Sequence, residues 1–253
     1  TSGEANFESE TSRKQSNIEV AFDADKVTDK IKLQIDLDFE RSNNEYENQD
    51  NIFISKRNRK SFNAKSVWSI SKKWSVGFTA GASGDTYQNI DFRYHFLPAI
   101  EYSFFPYEEF IRREMVINYR IGYGYRNYIE ETIYNKFEEN VYLHQLAFET
   151  RFRQPWGEIY STLRGKSFLH DPSKNSFSLD SWFSIRVFEG LSLRLGGEIE
   201  LIRDQLSLPK GNASIEDLLL QQQEIATDFR SEFSVGISYT FGSAFNNYLN
   251  SRL

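Results

Sequence analysis

Apolar and polar side chains alternate one by one along most of this chain. Ile31, Leu33, Ile35, Leu37 and Phe39 interleave with Lys32, Gln34, Asp36, Asp38 and Glu40. Successive side chains of an extended strand point to opposite faces, so this run has one apolar and one charged face. The pattern returns where Ile117, Tyr119, Ile121 and Tyr123 alternate with Asn118, Arg120, Gly122 and Gly124. It returns again at Leu191, Leu193 and Leu195 and at Phe233, Val235, Ile237, Tyr239 and Phe241. Helical periodicity is nearly absent, which predicts an all-β chain.

The alternation and turn rules place about twelve strands, near 3–11, 15–25, 30–48, 52–71, 74–87, 91–105, 113–131, 138–154, 157–169, 175–187, 190–208 and 226–242. Connections at Asp25–Asp29, Lys72–Lys73, Pro106–Arg112, Pro155–Gly157 and Glu189–Gly190 read as mostly tight. Those near 12–14, 48–52, 88–90, 132–137, 170–174 and 209–225 are expected to be longer or more polar. Short turns on one side and long loops on the other follow the outer-membrane barrel rule, and an even strand count puts both termini on the short-turn side. The expected fold is a transmembrane antiparallel up-and-down β-barrel over residues 1–242, with a short periplasmic tail at 243–253.

Two soluble folds share the period. Strands of a β-sandwich usually run ~3–10 residues, shorter than the predicted runs 30–48 and 113–131. A soluble barrel would turn its apolar face inward. The aromatics favour the membrane reading, because Trp68, Trp74, Tyr102 to Tyr107 and Tyr239 to Phe241 gather at strand ends, as interfacial girdles do. Glycines on the polar faces, such as Gly77, Gly81, Gly122 and Gly236, would give a crowded lumen wall room.

Composition narrows the class further. The 253 residues fit one domain, and mean hydropathy is −0.58 with no apolar stretch near the ~18 residues of a spanning helix. A net charge of −6 argues against nucleic acid as a partner, and the lack of cysteine removes disulfides, thiol catalysis and Cys-based zinc sites. The expected location is the bacterial outer membrane.

Gly3–Asp25 (GEANFESETSRKQSNIEVAFDAD) and Tyr239–Leu253 (YTFGSAFNNYLNSRL) resemble the YdiY-like, or salt-induced, outer-membrane proteins, in particular those of Bacteroidota. That resemblance implies an outer-membrane barrel of largely unknown function and carries no catalytic residues with it.

The polar faces hold the largest constellation: Lys32, Asp36, Asp38, Arg120, Arg126, Glu149, Arg151, Glu158, Arg164, Arg186, Arg194, Glu198, Arg230 and Glu232. Their signs are close to balance, which predicts a narrow or filled lumen neutralised by cross-strand pairs. A pore selective for one sign would want one charge to dominate. Catalysis finds little support. His144 would face outward with no serine placed beside it by sequence, and His95 has only a chance pair in Asp85 and Asp91. His170–Asp171, closed by Pro172, reads as a turn hydrogen bond. No H-E-x-x-H motif occurs, so neither an enzyme nor a cofactor is expected.

Two surface features point to partners. Lys56, Arg57, Arg59 and Lys60 lie in a long predicted hairpin that would project beyond the membrane, within reach of lipid headgroups, lipopolysaccharide or an acidic partner. Leu218, Leu219 and Leu220 sit in the 209–225 loop, where Ser214 and Asp217 can cap a short helix. Those leucines need cover, either in the barrel mouth or on another outer-membrane or periplasmic protein. The expected role is a non-enzymatic structural or interaction subunit of an outer-membrane assembly, the alternative being a small-solute pore.

Overall fold

A computed structural model describes residues 1–10, 13–48, 51–211 and 224–241. The period-two pattern becomes twelve strands: β1 (Ser2–Ser9), β2 (Arg13–Val27), β3 (Ile31–Asn48), β4 (Asn51–Ser69), β5 (Trp74–Asp85), β6 (Ile90–Ser103), β7 (Arg113–Tyr128), β8 (Glu138–Gln154), β9 (Gly157–Phe168), β10 (Asp171–Phe188), β11 (Leu191–Ile202) and β12 (Phe229–Tyr239). They form one antiparallel sheet in sequence order, an up-and-down meander. Among the described residues no pairing joins β1 to β12. The closed barrel expected from the pattern is reached as far as a curled sheet with two edges.

Inward-facing glycines let neighbouring strands come close. A Cβ at Gly77 would lie 2.3 Å from the Ser66 carbonyl oxygen, and one at Gly122 would lie 2.1 Å from that of Phe96. Only glycine lets neighbouring backbones approach this closely, as at the tight bends of barrels.

The two faces separate as the alternation demands. Phe22, Leu37, Phe62, Ile100, Ile121, Leu146 and Phe177 are exposed on the convex face. The concave face is largely polar, and its main apolar cluster packs Leu97, Val141, Leu143 and Phe168 with Leu206. Aromatic rings gather in two belts on the convex face. Near the tight turns Trp74 meets Tyr102 at 4.8 Å and Tyr102 meets Phe104 at 5.3 Å between ring centroids. Toward the other rim Tyr94 stacks on Tyr125 at 5.7 Å, and Tyr123 lies 5.3 Å from Tyr142. From Tyr94 to Tyr102 along β6 is about 27 Å of strand, or ~20 Å of height at a ~40° tilt, comparable with the ~25 Å apolar band of membrane barrels.

Loop lengths depart from the simple rule. On the rim expected to carry long loops, β3 and β4 stay paired up to Asn48 opposite Asn51, and β9 hands over to β10 between Phe168 and Asp171. Polar side chains beyond an apolar band still satisfy the backbone ladder, so strands extend where loops were expected. Within the second of these turns Asp171 accepts hydrogen bonds from the Ser173 backbone (3.1 Å) and hydroxyl (2.6 Å). On the opposite rim a 3-10 turn at Tyr107–Glu109 is tied down by charge. Lys72 bonds Glu108 and Arg113 bonds Glu109, and these hydrogen bonds hold both carboxyls below their ordinary range.

The expected strand 190–208 ends instead at Ile202. Residues 203–210 then turn inward as a strap across the mouth. Leu206, Ser207 and Leu208 are buried. Asp204 pairs with Lys166 and accepts from Ser176, while the Asn89 side chain donates to the Ser207 carbonyl at 2.9 Å. Ile133 donates its backbone N–H to Leu208, and Pro209 bridges to Thr132.

Candidate functional site

Beneath the strap lies a cavity of about 530 Å³, walled by the inward faces of β4 to β9. Alternation places Arg57 and Arg59 of β4, Arg93 and His95 of β6, Arg126 of β7 and Lys166 of β9 on that wall. Register brings the arginines together. Arg93 and Arg126 are direct partners across β6 and β7, and Arg59 stands opposite Asp85 on β5. Like charges directly opposite in a sheet repel.

Each nearby carboxylate is already engaged. Asp85 lies 3.9 Å from Arg57 and accepts from the Tyr87 backbone at 2.9 Å. Glu139, which faces Arg126 across β7 and β8, bonds Lys136 at 2.6 Å and the Tyr128 hydroxyl at 2.5 Å. Asp204 is held by Lys166, and Glu224 accepts from Gln205 at 2.8 Å. Among the described residues Arg59, Arg93 and Arg126 have no carboxylate within ion-pair distance. Arg93 bonds the Ser83 hydroxyl at 2.7 Å, and Arg126 lies over the Phe168 ring at 5.3 Å. The Arg57 Nε is buried without a hydrogen-bond partner.

Elsewhere on the concave face pairing is partial, short of the neutralised wall expected from balance. Arg164 pairs with Asp180 at 3.0 Å, Arg153 with Glu158 at 2.9 Å, Arg230 with Glu198 at 3.5 Å and Arg151 with Glu114 at 3.8 Å. Lys32, Arg120, Arg186 and Arg194 have no carboxylate within that range among the described residues, and Asp36, Asp38, Glu149 and Glu232 no cation. Arg120 bonds Asn118 instead, and Asp38 accepts from Ser61. The cause is register: Glu19 faces Glu40, Asp23 faces Asp36 and Glu198 faces both Asp180 and Glu232. Acids thus concentrate on β2–β3 and β10–β12, while the unpaired arginines of the cavity stand on β4, β6 and β7.

The basic run splits across the sheet. Lys56 and Lys60 face outward with Asn58, whereas Arg57 and Arg59 point into the cavity and leave the outer surface. Arg57 also packs over Tyr87 at 4.8 Å. Lys60 stands at the edge of a convex groove of about 430 Å³ lined by Phe22, Leu37, Phe39, Phe62 and Phe92. Leu218, Leu219 and Leu220, with Ser214 and Asp217, lie outside the described residues, as does the 243–253 tail.

Residues 8–207 match the family described as "Protein of unknown function, DUF481". The chain belongs to the DUF481 family. The matched segment of this DUF481 chain runs from β1 through Ser207 of the strap, and so contains the whole arginine cavity. No curated protein matches it. Among solved structures it is similar to one titled "NanC porin structure in rhombohedral crystal form", at 8% sequence identity and a TM-score of 0.44, covering 92% of this chain and 96% of that one.

One juxtaposition escaped the sequence. Ser167 of β9 stands directly across from His144 of β8 on the convex face. No hydrogen bond joins them among the described residues, and His144 Nδ1 lies 3.4 Å from the Tyr119 hydroxyl. His95 packs under Gly81 on the opposite face, apart from the exposed Asp91.

Proposed function

We propose that this chain is a non-enzymatic β-barrel of the bacterial outer membrane that admits small solutes through its interior. The supporting observation is the inversion of its faces, which are apolar and exposed outside, charged and hollow inside. Water would not tolerate so large a convex apolar surface, whereas a bilayer requires it. Lipid also forbids open sheet edges, so in the membrane β1 pairs with β12 and closes the wall. The tight-turn rim, with both termini, faces the periplasm. The resemblance to YdiY-like proteins of Bacteroidota supports the same placement.

A solute path is favoured over a purely structural subunit because the interior holds a cavity where Arg59, Arg93 and Arg126 have no carboxylate within ion-pair distance among the described residues. Outer-membrane lipid and lipopolysaccharide are the proposed surface partners. Lys60, Lys56 and Arg41 stand on the convex face just above an apolar groove suited to an acyl chain.

Planar-bilayer recording from the purified, folded chain tests the reading. Discrete conductance steps are expected, and a silent bilayer overturns the channel role. Native folding in water without detergent overturns the membrane placement.

A further inference from the structure

We propose that the cavity beneath the strap is a binding site for a small oxyanion carrying two or more charges, held by Arg59, Arg93 and Arg126. The inference rests on the channel reading for its access route, but its site stands on the geometry alone. Three guanidinium groups share one cavity of about 530 Å³, inside the ~300–1,000 Å³ range of small-molecule sites. Arg93 and Arg126 are direct cross-strand neighbours, an arrangement that repulsion disfavours unless a negative group sits between them. Among the described residues no free carboxylate supplies that group. Asp85, Glu139, Asp204 and Glu224 are committed to Arg57 and Tyr87, to Lys136 and Tyr128, to Lys166 and Ser176, and to Gln205 respectively.

Arginine is the side chain suited to this task. Its planar fork of donors matches carboxylate and phosphate oxygens two at a time. His95, on the same wall, adds an imidazole whose two ring nitrogens can meet a hydroxyl as donor or acceptor. The ligand class is therefore a carboxylate- or phosphate-bearing small molecule with polar hydroxyl groups. Below the site the wall turns to mixed charge, with Glu101 bonded to Asn118 at 3.2 Å near Arg120. An anion is thus attracted at the strap end and released toward a less positive interior.

The test uses the full chain folded in detergent at low ionic strength. Thermal unfolding is followed with sodium phosphate, sodium citrate or equal ionic strength of sodium chloride. Phosphate or citrate is expected to raise Tm beyond the chloride control, and the ranking of the two distinguishes phosphoryl from carboxylate ligands. The R93Q/R126Q variant is expected to lose at least ten-fold in the affinity of whichever anion binds, while R194Q keeps it. Loss of repulsion should raise the anion-free Tm of R93Q/R126Q, so a fall in binding is not a failure to fold. No anion-specific shift in the wild type, or an equal shift in R93Q/R126Q, overturns the site, even where bilayer conductance is present. Binding without conductance upholds the site and removes only the channel reading.

Discussion

Arg93 and Arg126 face each other directly across β6 and β7, both turned into the cavity, and among the described residues neither has a carboxylate within ion-pair distance. Opposed like charges in a sheet cost stability where opposite charges would contribute ~0.2–1 kcal/mol. Arg93→Gln keeps a donor for Ser83 and removes the repulsion. It is expected to stabilise the anion-free protein by about 0.2–1 kcal/mol, read from the denaturant midpoint in detergent. Destabilisation of that size would mean Arg93 is held by a favourable contact.

Ile121 lies midway along β7 between Ile117, opposite Tyr102, and Tyr125, opposite Tyr94, and is exposed on the convex face. If that face meets hydrocarbon, Ile121→Arg places a cation near the bilayer midplane. The expected cost is ~2–4 kcal/mol in lipid vesicles. In a water-exposed sheet the same change would be close to neutral.

Strand positions were legible because alternation is local: Ile31–Phe39 needs no tertiary information to reveal two faces. The strap was not, although Leu206 and Leu208 fall on the even positions that carry the polar face of β11, so the apolar alternation changes parity there. What stops the strand is Asp204 meeting Lys166 and Asn89 reaching Ser207, contacts separated by 38 or more positions in sequence. The same holds for the site. Alternation alone places Arg93 and Arg126 on the polar face, whereas Arg57 and Arg59 read as part of a projecting basic run, and whether any of them meets acids or each other depends on register. Register between β6 and β7 shifts at Ile90 and Phe92, an irregularity that composition does not announce. Ser167 lies opposite His144 through the regular register of β8 and β9, which pairs residues that sequence alone does not align.

Closure of the wall is open to a direct test, since the chain has no cysteine of its own. Ala5→Cys on β1 combined in turn with a cysteine at each position of Phe229–Tyr239 on β12 should give a disulfide in intact membranes at one register. Bridging demands Cα atoms ~4.4–6.8 Å apart, so a cluster of one or two positive positions is the expected result. No cross-link at any position would mean the edges stay apart.

Lys56 and Lys60 lie on the outward face of β4, two residue pairs on either side of Arg41 opposite Asn58. Phosphate groups of lipopolysaccharide are the expected counter-charge. The K56E/K60E variant should purify with less bound lipopolysaccharide, measured by phosphate content, at unchanged folding yield. Unchanged lipid content would leave these lysines as solvated surface.

Asn89 ties the strap to the wall. It adopts a left-handed backbone (φ 58°), a conformation Asn tolerates better than most residues, and it is buried. Its amide nitrogen donates to the Glu130 carbonyl at 3.0 Å and the Ser207 carbonyl at 2.9 Å, while its oxygen accepts from the Glu130 N–H at 2.8 Å. Removing the amide strands buried backbone groups, at a cost of ~1–3 kcal/mol. Asn89→Gly preserves the backbone freedom and deletes only those bonds, so it isolates their effect from φ strain. Its expected outcome is a folded sheet whose residues 204–208 exchange amide hydrogens faster than in the wild type, with larger conductance steps because the mouth is less obstructed. Leu206 would resist this, being packed against Leu97, Val141, Leu143 and Phe168. Leu206→Asp added to Asn89→Gly should therefore complete the release. If exchange in 204–208 matches the wild type in both variants, the strap is held by its backbone bonds to Ile133 and Glu131 and by the Asp204–Lys166 pair, and the Asn89 bridge is dispensable.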